Sequence, residues 1–253
     1  MQFKKIPYLF IILSFFAFPG CEKEIPHKTE IDADSVKSSF QRALLISPLD
    51  EGVEVLGRKI IIIPAEEGRT YELSGYFNGQ IIVAAKNTEL KLNGAYLENT
   101  SGREVIIAKA KTEISVVKDS TNYIVSRGRN LTKKAAVEAK KTLVLGGSGT
   151  LYVKGSVCHA LEGEDVKIKG SGAFYFEGTG RGSALTCESL EVEDGKTFSA
   201  YFLNSKNGIK VDKSLSIKSG NFYIWSNKTP VKTGKNIPED ALLLSDAKFD
   251  TGE

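Results

Sequence analysis

The sequence predicts an all-β fold, a right-handed single-stranded parallel β-helix with about 24 residues per coil, and three observations predict it. Short alternating segments recur at near-constant spacing. Most of them end in a glycine corner. Each corner leads to a second and then a third short strand before the pattern restarts, with no room for a helix.

The first strands are Leu90-Lys91-Leu92, Ile114-Ser115-Val116, Leu143-Val144-Leu145, Val166-Lys167-Ile168, Leu190-Glu191-Val192 and Leu215-Ser216-Ile217, with starts 24, 29, 23, 24 and 25 residues apart. Corners follow at Asn93-Gly94, Gly147-Ser148-Gly149, Gly170-Ser171-Gly172, Asp194-Gly195 and Ser219-Gly220. Glycine supplies the positive φ that a sharp corner needs without a Cβ penalty. Second strands run through Leu151-Tyr152-Val153, Phe174-Tyr175-Phe176, Ala200-Tyr201-Phe202 and Phe222-Tyr223-Ile224. Third strands are Ala160-Leu161-Glu162, Ala184-Leu185-Thr186, Gly208-Ile209-Lys210 and Pro230-Val231-Lys232.

Side chains alternate across a strand. Leu143, Val166, Leu190 and Leu215 are therefore expected to stack inside the first sheet. Leu151, Phe174, Ala200 and Phe222 do so in the second, and Leu161, Leu185, Ile209 and Val231 in the third. Upstream, Tyr71 to Val83 reads as the first full coil, and Val53 to Ile63 starts the solenoid and covers its open end. The long interval holds Asp119 to Lys134, read as a polar, basic loop leaving the coil. Residues 236–253, with Ala241-Leu242-Leu243-Leu244, are expected to cap the other end, where bare strand edges need cover. A sandwich does not fit, because its antiparallel strands produce no three in-phase ladders.

The N-terminus carries an address. Lys4 and Lys5 precede an apolar run from Ile6 to Phe18, then Pro19-Gly20-Cys21. The run is too short to span a bilayer and reads as a signal peptide over residues 1–20. Its end resembles a bacterial lipobox, in which the exposed cysteine, here Cys21, is lipidated. Residues 21–50 then form a polar tether, with Val36 to Ile46 as one helical piece, and residues 51–235 form the β-helix domain. Glu22 after the cysteine favours the outer membrane or cell surface as the anchoring site. Membrane contact is expected through the lipid alone.

Composition excludes other classes. Lys and Arg total 34 against 31 Asp and Glu, a net charge of +3 over 253 residues. That balance gives no basis for a nucleic-acid partner, and the chain is expected to be monomeric. Beyond Cys21, Cys158 and Cys187 remain. The repeat register puts Cys158 opposite Gly182 and Cys187 inward beside Val211, so they are not expected to pair.

Several segments together resemble a known family. They are Tyr71-Glu72-Leu73-Ser74-Gly75, Gly79-Gln80-Ile81-Ile82-Val83, Leu90-Lys91-Leu92-Asn93-Gly94, Gly147-Ser148-Gly149-Thr150-Leu151 and His159-Ala160-Leu161. In order and spacing, from about Val53 to Lys235, they are similar to a bacterial cell-surface carbohydrate-binding domain family with a β-helical, polysaccharide-lyase-like fold. The resemblance implies a polysaccharide ligand of the cellulose or pectin type, and calcium. Two departures count against calcium here. Gly180-Arg181-Gly182-Ser183-Ala184-Leu185 stands where members repeat Gly-Asp-Gly-Ile, and Asn122-Tyr123-Ile124-Val125 where they carry Asn and Asp. Calcium takes six to eight oxygens, usually with several carboxylates. No cofactor and no metal ligand are expected.

The sharpest candidate site is aromatic. Tyr152, Tyr175, Tyr201 and Tyr223 hold one equivalent outward position on the second sheet, and Trp225 points to the same side as Tyr223. Stacked at about 4.8 Å they form a ladder. Its flat rings and hydroxyls suit a pyranose, making these five residues the carbohydrate-binding candidates; the competing reading is that the ladder only stabilises the sheet. On the third sheet Glu138 and Glu162 align outward, followed by Thr186, Lys210 and Lys232. Mixed charges of this kind solvate a face more readily than they build a lyase centre, so no catalytic residue is expected. His159 reads as a turn residue, and Gly146-Gly147-Ser148-Gly149 as a corner instead of a phosphate loop. The function expected is non-catalytic polysaccharide binding. The alternatives are a lyase-like enzyme on the same fold, or a structural or adhesive surface lipoprotein.

Overall fold

The computed structural model describes residues 32–49, 53–57, 59–63, 68–128, 135–156, 158–179, 181–193 and 198–234, and by backbone alone 242–244 and 248–250. The signal peptide, Cys21 and the Asp194-Gly195 corner lie outside the described residues.

The chain opens with α1 (Ala33–Lys37), β1 (Leu45–Ser47), β2 (Glu54–Leu56), β3 (Ile60–Ile63), β4 (Thr70–Asn78) and β5 (Gln80–Val83). It continues with β6 (Thr88–Asn99), β7 (Ile106–Ala108), β8 (Thr112–Val116), β9 (Thr121–Ser126), β10 (Val137–Ala139), β11 (Leu143–Gly147) and β12 (Thr150–Gly155). Longer strands follow: β13 (Leu161–Ile168), β14 (Ala173–Glu177), β15 (Ser183–Val192), β16 (Ser199–Ile217) and β17 (Asn221–Thr233), then β18 (Leu242–Leu244) and β19 (Lys248–Asp250). They wind into a β-solenoid of about seven turns, with coils about 24 residues apart.

Every coil-to-coil pairing among β3 to β19 is parallel, including that of the Leu143 and Val166 strands. The inward ladders emerge as the alternation requires. Tyr71, Leu90, Ile114, Leu145, Ile168, Val192 and Ile217 are successive neighbours in the first sheet. Leu97, Ile124, Val153, Phe176, Phe202 and Ile224 run through the second, and Ile81, Ile106, Val137, Leu161, Leu185, Ile209 and Val231 through the third. Together they form one continuous core along the axis, in which each residue packs on its equivalent a coil away.

The corners show why glycine is needed. Gly147 and Gly170 adopt φ of +93° and +99°, and a Cβ on either would lie 2.1 Å from the Val116 carbonyl oxygen or 2.3 Å from that of Gly147. At these two corners the neighbouring coil sits too close for any side chain.

Three sequence expectations are corrected. Ile114 stacks on Leu145 and Thr112 on Leu143, so the first-sheet register shifts by two residues across the long coil while keeping the same face inward. The polar stretch read as a loop from Asp119 contains β9, paired with β6 and β12. Asn122 hid it, since it occupies an inward position. Its side chain is buried, with Oδ1 accepting from the Ala95 amide at 2.9 Å and Nδ2 donating to Ser120 Oγ at 2.9 Å, so its polarity is satisfied. The helix expected over Val36–Ile46 lies earlier and is a single short piece, α1. Asp32 caps it through Ser35 N at 3.1 Å, and Ser38 ends it.

After α1 the chain turns, and β1 pairs antiparallel with β4 along the first sheet's N-terminal edge. The β2–β3 hairpin does the same for the third sheet, with β2 antiparallel to β3. At the far end β18 and β19 add parallel strands to β16 and β17.

Candidate functional site: an outward tyrosine ladder

The second sheet alternates an inward apolar residue with an outward tyrosine in every coil. Tyr76, Tyr96, Tyr123, Tyr152, Tyr175, Tyr201 and Tyr223 are consecutive partners across β4, β6, β9, β12, β14, β16 and β17. The ladder therefore has seven rungs, of which the sequence pattern revealed the last four. Tyr76 and Tyr96 follow Gly75 and Ala95, and Tyr123 follows Asn122, so only the residue after each tyrosine, Phe77, Leu97 or Ile124, marks the strand as apolar.

From Tyr123 onward the rings lie face to face. Centroids are 4.9 Å apart for Tyr123–Tyr152, 4.5 Å for Tyr152–Tyr175, 4.2 Å for Tyr175–Tyr201 and 4.7 Å for Tyr201–Tyr223. Interplanar angles of 4° to 22° leave no gap for a sugar between rungs. The inner ring faces are spent on one another, which alters the expected mode of contact. What remains open is the rim, a ridge of ring edges and hydroxyls advancing by about 4.8 Å per coil. Trp225 lies parallel to Tyr223 at 6.2 Å and broadens the last rung. Burial raises the hydroxyl pKa of Tyr152 and Tyr175, and neighbouring tyrosines raise the latter further, so both stay protonated donors in neutral solution.

The ridge has two flanks. On one side stand Thr121, Thr150, Ala173, Ser199 and Asn221, small and mostly polar. On the other are Glu98, Val125, Lys154, Glu177 and Leu203. Lys154 pairs with Glu177 at 3.2 Å, with both side chains largely buried, so that flank carries little net charge.

The ladder's N-terminal half is roofed. Ala33, Val36 and Phe40 from the α1 segment join the ladder tyrosines in one apolar cluster, with Phe40 against Tyr96 and Tyr123. Tyr96 is fully buried, and its hydroxyl donates to the Ala33 carbonyl at 2.8 Å. Glu98, its side chain also fully buried, receives Lys37 Nζ at 2.5 Å, Arg127 Nε at 3.0 Å and the Tyr76 hydroxyl. Burial alone would raise its pKa, but these donors outweigh that and hold the carboxyl below the usual carboxylate range. Arg127 also reaches Asp34 of α1 at 2.9 Å. Part of the stretch read as tether is thus docked on the domain.

The other residues weighed in the sequence lie away from the ridge. Glu138, Glu162, Thr186, Lys210 and Lys232 do form one row. Within it Lys140 pairs with Glu138, and Lys210 with Asp212 at 2.7 Å. His159 Nδ1 accepts from the Ser183 amide at 2.9 Å, holding a turn. Cys158 and Cys187 are buried and not joined in a disulfide, the first against Gly182 and the second beside Val211. Among the described residues no three His, Cys, Asp or Glu side chains converge on a point where a metal ion could sit.

The strand order and register define a parallel β-solenoid. A solved structure described as a polysaccharide lyase-like protein from C. thermocellum, a gadolinium derivative, superposes with a TM-score of 0.54 at 21% identity, covering 79% of this chain and 93% of that one. No curated protein sequence matches. A family model, that of carbohydrate-binding domain-containing proteins, matches residues 57–236, and the chain belongs to that family.

Proposed function

We propose that the protein binds a polysaccharide, without cleaving it, along the tyrosine ridge of the second sheet, and that a lipid on Cys21 holds it at the bacterial outer membrane or cell surface. The observation that carries this reading is the half of the ladder that the α1 segment leaves uncovered among the described residues. Tyr152, Tyr175, Tyr201 and Tyr223 are each half-buried, and they run in line with Trp225 beside a row of small polar side chains. A glycan laid along the axis would meet about one rung per sugar. Ring edges and the phenol hydroxyls would contact its C–H faces and hydroxyls, as amphipathic aromatic residues do at other polar surfaces. Membership of a carbohydrate-binding domain family supports the ligand class.

Affinity on such a ridge is shared among rungs. With about 0.5–1.5 kcal/mol per aromatic contact, no single substitution abolishes binding. A glycan array with the full-length protein identifies the ligand. Tyr175→Ala with Tyr201→Ala should weaken that ligand by more than tenfold, about 1.4 kcal/mol. Unchanged affinity in the double variant overturns the assignment of the ridge.

A further inference from the structure

The segment that roofs the ladder shows how the ridge recognises a guest. Phe40 meets the rungs at an angle, 5.3 Å and 52° from Tyr96 and 5.8 Å and 78° from Tyr123, so an apolar body rests against ring edges. The Tyr96 hydroxyl donates to a backbone carbonyl of the guest, and the Lys37 ammonium lies 5.2 Å from the Tyr76 ring centroid. These are the contacts a sugar would make: a C–H face on the rim and an acceptor oxygen on a phenol. The segment occupies rungs Tyr76, Tyr96 and Tyr123 as a ligand would, and among the described residues the cover ends before Tyr152.

We infer that Asp32–Phe40 is a built-in stop that fixes the length of glycan the ladder accepts, an inference that rests on the ridge being the glycan face. With the segment docked, four rungs remain that it does not cover among the described residues, Tyr152 to Tyr223, a run of roughly 14 Å at the coil spacing. Affinity should then rise with chain length only until those rungs are filled. Lys37 and Phe40 act as specificity-determining residues, because they hold the stop in place. With the stop released, three further tyrosines continue the same row in the same register.

The test uses full-length protein in detergent and two probe series, linear β-1,4-glucose oligomers and oligogalacturonates, from dimer to octamer. In the series that binds, the wild type should gain affinity up to about the tetramer and change less than twofold beyond it. The Lys37→Ala, Phe40→Ala double variant should keep gaining, by at least fivefold between tetramer and heptamer. Hydrogen exchange of residues 33–40 reports whether the stop has been released. If it stays protected, Ala33→Glu replaces the double variant, since it drives a carboxylate into the buried cluster with Tyr96. A released variant that levels off at the wild-type length overturns the stop, as does a wild type that keeps gaining to the octamer. The Tyr175→Ala, Tyr201→Ala variant separates the two ideas. If it weakens binding while both stop forms level off together, the ridge stands and the stop falls. If it binds like wild type in either series, or if neither series binds, the stop falls together with the ridge.

Discussion

Replacing Tyr175 by alanine probes the two roles a tyrosine row can have. Its ring is sandwiched between Tyr152 at 4.5 Å and Tyr201 at 4.2 Å. Each stacked pair contributes about 0.5–1.5 kcal/mol, so Tyr175→Ala should lose about 1–3 kcal/mol of stability. That is more than an exposed side chain would cost, because the rung is gripped on both faces. Tyr223 has one tyrosine neighbour, at 4.7 Å, and its loss should cost about half as much. Phe174, next in sequence but fully buried in the core, should cost about 3–5 kcal/mol. Urea unfolding ranks the three, provided the slopes with denaturant agree. Glycan affinity of the folded variants should rank differently: weakened by Tyr175→Ala and Tyr223→Ala, unchanged by Phe174→Ala. Equal destabilisation by Tyr175→Ala and Phe174→Ala, with affinity untouched in both, would refute the reasoning and leave the ladder as scaffold.

Three further outcomes follow from the same structure. Glu98→Ala orphans the Lys37 charge and leaves Arg127 with Asp34 alone, but the Lys37 and Arg127 side chains are 39% and 25% exposed, so water recovers part of the loss. The cost should be about 1–3 kcal/mol, below the figure for a wholly buried pair, and should appear as faster exchange in α1. Since the folded state lowers the Glu98 pKa, its contribution is complete above the ordinary carboxylate range and fades as pH falls through the lowered value. Exchange protection of residues 33–37 should therefore hold at neutral pH and drop only in strong acid; loss already near pH 6 would contradict it. Cys21→Ala should move the protein out of the membrane fraction or leave it unprocessed, and an unchanged membrane fraction would rule out the anchor. Pectic substrates should yield no 4,5-unsaturated product with or without calcium, and a chelator should leave glycan affinity unaltered; a calcium-dependent burst of product would favour a lyase.

Much of the solenoid was legible because its core obeys two periods at once, alternation within a strand and a repeat of coil length. Leu143, Val166, Leu190 and Leu215 are enough to set the first-sheet face inward. Legibility failed where an inward position is polar or small. Asn122 is as buried as Leu151 beside it but satisfies its amide internally, so its strand reads as a loop. That concealed Tyr123, and with this coil unread the row could not be followed back to Tyr96 and Tyr76. The roof was harder still. Its grip depends on Glu98, Arg127, Asp34 and Lys37 meeting across up to 93 residues of chain, and no local pattern encodes that meeting.

The most direct test of the central claim follows each tyrosine ring separately as glycan is added. The chain has nine tyrosines, seven of them on the ladder, while Tyr71 is buried in the first-sheet core. In protein carrying carbon-13 in its tyrosine rings, titration with the array-selected oligosaccharide should shift Tyr152, Tyr175, Tyr201 and Tyr223 saturably and together. Tyr71 should stay fixed. Saturable binding that leaves those four rings unmoved would place the ligand on another face and contradict the account.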